Sequence, residues 1–226
     1  MTCSDYRQMA RDNLSGNWKK AVTVAFVATI FGALVAGSGF SFNVDVDAEY
    51  IQQLPEIAIA ILGALASTAS MFSLVHFILG GTVQLGYCQM LLKQYHHQEY
   101  ETRDLFSQFN RFKQGFLQLF LRNLYTALWS LLFIIPGIIA HYKYAMTPFL
   151  MMDNPHLSVK EAMYTSTMLM DGHKGELFLL GLSFIGWDLL AGLTLGIGHL
   201  WLNPYKNAAY ACFYRNLLQQ RQAIEG

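Results

Sequence analysis

Charge is what this chain has least of. Of its 226 residues only 13% are Asp, Glu, Lys or Arg, against about 25% in soluble domains. The deficit is local, because residues 21–44, 57–92 and 123–142 contain none of the four. Each run exceeds or matches the ~20 residues of helix that cross a hydrocarbon core, and none carries the polar face that a surface helix of a soluble protein needs. An excess of either sign is also absent, with 15 basic and 15 acidic residues, so no basic patch points to nucleic acid. The three cysteines, Cys3, Cys88 and Cys212, are far apart and show no CxxC spacing. Neither a disulfide framework nor a zinc site is indicated by that pattern. The alternation of a transmembrane barrel strand is missing too. What remains is an all-α chain, a polytopic transmembrane bundle of about six helices with short amphipathic interfacial helices, formed by residues 1–226 as one domain.

Residues 4–15 suit a short helix, with Ser4 placed to cap its start and Gly16 its end. Trp18, Lys19 and Lys20 follow where an aromatic and basic interface anchor belongs. The first crossing then spans about 21–42. Ala36-Gly37-Ser38 resembles a cleavage site, but the 24-residue apolar stretch 21–44 is longer than the ~7–15 of a signal core, so a retained helix is expected. The next loop holds Asp45, Asp47, Glu49 and Glu56 without Lys or Arg, which sets the N-terminus inside and this loop outside. Residues 57–92 would reach ~54 Å as a helix, so they either lie partly along the interface or bend near Gly80-Gly81. Ala60, Gly63, Ala64, Ser67 and Ser70 form a small-residue stripe for close helix packing.

Residues 93–115 are polar and basic and are expected inside. Within and just after them Leu105, Phe106, Phe109, Phe112 and Phe116 recur at helical spacing. The pattern fits a helix on the inner membrane face or one packed on the protein's own core. A third crossing is expected over 117–135, and Pro136-Gly137 is expected to turn the chain into a fourth over 138–152. A single kinked helix across Pro136 is the alternative. It would put Lys160, Lys174, His156 and His173 outside, against the charge bias. Ser158 and Glu161 read as a capping box and Gly172 as the stop of the helix between them. A fifth crossing runs from Glu176 to the Gly196-Ile197-Gly198 turn, and a sixth over 199–219 returns the C-terminus to the inside.

The words "LSGNWKKA" (14–21), "LFSQF" (105–109), "LLFIIPGII" (131–139), "DGHKGELFLLGLSFIGW" (171–187), "LTLGIGHLWLNPY" (193–205) and "CFYRNL" (212–217) resemble a bacterial integral membrane family. It is the family numbered 975 among the domains of unknown function. The resemblance implies a multi-pass protein of the bacterial cytoplasmic membrane and brings no activity and no catalytic residues. The "IIPGII…P…D" element is also similar to one in membrane domains attached to some glycerophosphodiesterases, without their catalytic domain.

Ionisable groups at membrane depth cost about 2.5–3.5 kcal/mol each on insertion scales and are therefore functional candidates. Here they are Arg122, Lys143, Asp188, Lys206 and Arg215, with His76, His141 and His199 as titratable company. Asp188, in the middle of the fifth crossing, is expected to pair with Lys143 or Lys206. It reads either as a proton or cation carrier or as half of a structural ion pair, and buried pairs need no function. His96-His97 lacks the i, i+4 spacing of helical metal ligands. "DGHKG" (171–175) reads as a helix stop and start or as an anion-binding turn. Met146, Met151, Met152, Met163, Met168 and Met170 gather near the expected inner face, where gap filling competes with a binding role. No cofactor and no metal is expected, and the chain is not expected to be an enzyme. The expected partners are membrane lipids and other membrane proteins or a second copy, with no nucleic acid. A scaffold or accessory role leads, and a small-solute, ion or lipid transporter is the alternative, favoured by the broken segments at Pro136, Gly137, Gly196 and Gly198.

Overall fold

The computed structural model describes residues 2–30, 78–194 and 196–225. The end of the first crossing, the acidic loop and the small-residue stripe fall outside the described residues. Those described are helical or in turns, in the order α1 (Cys3–Leu14), α2 (Trp18–Ile30), α3 (78–95), a 3-10 segment (Thr102–Arg111), α4 (Phe112–Leu132), α5 (Ile134–Lys143), α6 (Thr147–Asp153), α7 (Val159–Leu169), α8 (Lys174–Leu182), α9 (Ile185–Leu193) and α10 (His199–Glu225). No strand occurs among them. Gly80 and Gly81 lie inside continuous helix from residue 78, and the earlier part of the 57–92 run falls outside the described residues.

The caps follow the sequence closely, with one shift. Thr2, not Ser4, caps α1, and its hydroxyl and the Asp5 carboxylate close a reciprocal box. Ser158 and Glu161 close the same box on α7 as expected. Gly16, Gly172 and Gly196 take φ of 80, 78 and 85°, the left-handed region that favours glycine. They stand in the turns after α1, α7 and α9 respectively.

The Pro136-Gly137 hairpin is present, but neither residue makes its turn. Phe133, extended at φ −161° and ψ 150°, is the one residue between α4 and α5. Pro136 then falls in the first turn of α5, where a backbone N–H has no helical acceptor and its loss is harmless. Gly137 serves packing instead of dihedral freedom. A Cβ there would stand 2.1 Å from Ser130 Oγ and 2.8 Å from Ser130 Cα, so the returning helix lies backbone-close on the outgoing one. Farther down the hairpin the rings of Tyr125 and Tyr144 meet at 6.1 Å. The expected fourth helix is divided, α5 ending at Lys143 and α6 resuming at Thr147 with Pro148 in its first turn. The fifth is divided at Ser183–Phe184 into α8 and α9.

The core gathers on α10. Its side chains from Ala208 to Leu217 are largely buried among α1, α3, α6 and α8. Phe149 stacks on Tyr214 at 5.2 Å and Tyr6 meets Phe213 edge-on at 5.3 Å. Each buried ring of this size stabilises the fold by about 1.5–3 kcal/mol. The apolar side chains left outside are concentrated on two hairpins, α4/α5 and α8–α9/α10, where Leu131 is 86% and Leu193 82% exposed. One stretch among the described residues, Lys174–Leu193, is long and apolar enough to cross a membrane.

Candidate functional site

Of the candidate charges, the fold brings one pair together. Lys206 on α10 is buried, and its ammonium donates to Asp188 Oδ1 and Oδ2 at 3.1 and 3.0 Å. The pairing follows from the turn at Gly196-Ile197-Gly198. A Cβ on Gly198 would stand 2.7 Å from Ala191 Cα, so the start of α10 lies directly against α9, and Asp188 and Lys206 face each other across the hairpin. His199 Nε2 stands 3.8 Å from the same carboxylate. Lys143 has no part in this pair, because its ammonium lies over the Tyr144 ring, 5.6 Å from the centre. Arg122 has no carboxylate within ion-pair distance among the described residues. Of Arg122, Lys143, Asp188 and Lys206, the structure pairs Asp188 with Lys206 and leaves the other two cations outside that pair.

A second network joins residues far apart in sequence. Asp153, the last residue of α6, accepts from the Tyr214 hydroxyl at 2.7 Å and from Arg215 Nη2 at 3.0 Å. The guanidinium also stands 5.8 Å from the Tyr214 ring centre and 6.0 Å from that of Tyr95. Arg215 was legible as a candidate by its depth, whereas nothing local in the sequence points to Asp153 as its partner 62 residues away. Arg111 ties the 3-10 segment to the same end, donating to the carbonyls of Pro155 and Met151 at 2.9 and 3.4 Å.

The N-terminal helix is locked to α10 by Asn216 Nδ2 donating to Tyr6 Oη at 2.6 Å and Asn13 Nδ2 donating to Cys212 Sγ at 3.4 Å. Burial pushes the Tyr6 hydroxyl up to about 12, with the Glu176 charge adding to it. Trp18 and the Gly196–Gly198 turn do not both keep their expected places. The inner-face position of Trp18 and the outer-face position of the Gly196–Gly198 turn would hold the two about a bilayer apart. Instead Trp18 lines one pocket with Trp187, Gly198 and Trp201. The turn at Gly16 is the physical cause, since it sets α2 back against α10.

In the phenylalanine series Phe106, Phe109 and Phe112 are exposed and Phe116 is half-buried, while Leu105 is fully buried. Phe112, Phe116 and Phe120 stack on one another at 6.5 and 6.1 Å along the start of α4. His96 and His97 lie exposed at the end of α3. In the 171–175 turn Lys174 is spent on Asp171 at 2.8 Å, and that bond holds the Asp171 carboxyl below its ordinary value.

No curated protein and no solved structure matches the chain. A family match exists over 131–221, from the end of α4 to the last turns of α10. It takes in both hairpin turns, the Asp188–Lys206 pair and the Asp153–Arg215 pair. The words at 14–21 and 105–109 lie before it. The matching model is described as Protein of unknown function (DUF975), the family that the sequence resembles, and it covers residues 131–221 of this chain.

Proposed function

We propose that this is a multi-pass protein of the bacterial cytoplasmic membrane acting as a non-enzymatic scaffold or accessory protein that binds lipids or membrane partners. The observation that carries the reading is how the charges are held. Asp188 is held by Lys206, with His199 at 3.8 Å, and Asp153 by Arg215 and the Tyr214 hydroxyl, so each carboxylate is closed in a short local set. A relay would instead place several titratable groups along a shared wet path. The outward faces of α4, α5, α8 and α9 support it, since they expose Leu128, Leu131, Phe133, Ile135, Leu189 and Leu193, the surface that lipid or a helix of a partner would cover. The transporter reading draws on the breaks at Phe133 and at Gly196–Gly198, as interrupted helices build transport sites.

Proteoliposomes with a trapped pH-sensitive dye and an imposed proton gradient separate the two. On the scaffold reading the gradient decays at the same rate with wild-type protein, with Asp188→Asn and with no protein. A faster decay with wild type, reversed by Asp188→Asn, would replace the scaffold with a proton-coupled carrier.

A further inference from the structure

Where α2 meets the start of the 3-10 segment there is a cavity of about 340 Å³, within the range of about 300–1,000 Å³ that small-molecule sites occupy. Its lining is Lys20 and Val24 of α2 with Tyr100, Glu101, Thr102 and Arg103. Tyr100 is only 6% exposed, and its hydroxyl is buried with no hydrogen-bond partner among the described residues. A buried donor left unmade is costly, so this one marks a place for an acceptor from outside the chain. Lys20 is exposed, and its ammonium has no carboxylate within ion-pair distance among the described residues. Arg103 Nε donates to Glu101 Oε2 at 2.8 Å, which leaves both Nη groups for another acceptor. The two side chains are 82% and 65% exposed, and a pair so open to water holds weakly. Asp104, the next acid along, is taken by Lys93 at 2.9 Å.

We propose that this cavity binds the phosphate of a membrane phospholipid headgroup, with Lys20 and Arg103 on its oxygens and the Tyr100 hydroxyl donating to it. A phosphodiester only accepts, and the unspent groups of the lining, an ammonium, a guanidinium and a phenol, all donate. Lys20 and Arg103 against Glu101 leave the lining one net positive charge, the complement of a singly charged phosphodiester. What adjoins the cavity selects a lipid over a free phosphate compound. Arg103, Phe106 and Phe109 are three apart in the 3-10 segment, and at three residues per turn they share one face. Phe106 and Phe109 are exposed, with ring centres 5.8 Å apart. A cation followed by two open phenyl rings on one face matches a headgroup followed by its acyl chains. The inference rests on the membrane reading above and gives that reading a headgroup chemistry and a site.

The test is a calorimetric titration of the full chain, purified in detergent and washed free of lipid. Three probes separate the parts of the ligand. Dihexanoylphosphatidylglycerol has phosphate and chains, glycerophosphoglycerol has the same phosphodiester without chains, and dihexanoylglycerol has the chains without phosphate. The phospholipid should bind saturably and more tightly than either of the others. Lys20→Gln and Arg103→Gln, both on exposed side chains, should each weaken it about fivefold, the weight of one basic residue near an anionic headgroup. Tyr100→Phe should also weaken it, yet should not lower Tm in the absence of lipid, because the deleted hydroxyl has no partner to lose. Affinity unchanged in both Lys20→Gln and Arg103→Gln overturns the proposal, as does a Tyr100→Phe that melts lower and binds as before. Glycerophosphoglycerol bound as tightly as the phospholipid overturns it too and makes the cavity a site for a soluble phosphate compound. The membrane reading is tested apart, by washing membranes that contain the full chain with alkaline carbonate. A chain that stays with the membranes keeps that reading standing whatever the titration gives, and a chain released by the wash sinks it.

Discussion

The Asp188–Lys206 pair sets an asymmetric cost. The Lys206 side chain is 9% exposed and that of Asp188 30%. Asp188→Asn leaves the more buried ion, the ammonium, without its counter-charge. Breaking a buried pair on one side costs about 3–5 kcal/mol, and the part-exposed carboxylate places this pair at the low end, about 3 kcal/mol. For a chain of this size that is a fall of about 6–12 °C in Tm. Lys206→Met leaves a carboxylate that water reaches and that His199 faces at 3.8 Å, so its loss should be smaller, about 1–2 kcal/mol. The double variant Asp188→Asn/Lys206→Met removes both charges, and apolar replacement of a whole buried pair is often near neutral. It should therefore melt above the Asp188→Asn single variant, a coupling of about 1–3 kcal/mol. Lys143→Met, at the other cation once eligible as a partner, should stay within about 0.5 kcal/mol of wild type. Thermal unfolding in one detergent at one pH measures all four. Additive losses in the double variant, or a rescue of Asp188→Asn by Lys143→Met, would refute the geometry.

Gly137→Ala should destabilise by about 1–3 kcal/mol, because its Cβ meets Ser130 Oγ at 2.1 Å, whereas Gly175→Ala, with nothing within 4 Å, should not lower Tm. Ser158→Ala removes the α7 cap and should cost about 1 kcal/mol in the same melt. Asp104 is held below its ordinary pKa first by the hydrogen bond from Lys93. Its contribution is thus present above the unfolded value of 3.8 and lost as pH falls through the folded one. The Tm gap between wild type and Asp104→Asn should close as the medium is acidified below that value, and a gap constant with pH would exclude the pair.

Some of this fold was written locally and some was not. The boxes and the positive-φ glycines depend on residues three or four apart, so Ser158, Glu161, Gly172 and Gly196 could be read directly. Pro136 and Gly137 announced a hairpin correctly but misplaced its turn, since proline in a first helical turn and glycine at a close contact look the same as a turn pair in sequence. The breaks at 144–146 and 183–184 have Pro148 as a signal in one case and none in the other. Asp188 was singled out by depth alone, and depth could not choose between two lysines on neighbouring helices. The choice came from the Gly198–Ala191 contact that sets the register of the second hairpin. Asp153 with Arg215, and Trp18 with Trp201, are tertiary meetings with no spacing rule behind them.

The account rests on hairpins that cross a membrane with their tips at one face and residues 153–158 at the other. Single cysteines at positions 133 and 155, in a chain with Cys3, Cys88 and Cys212 replaced by alanine, test this with a membrane-impermeant thiol reagent. Position 133 should react in intact cells and position 155 only after the membrane is permeabilised. Reaction at 155 in intact cells, or protection of 133 until permeabilisation, would contradict a crossing α4/α5 hairpin and the topology built on it.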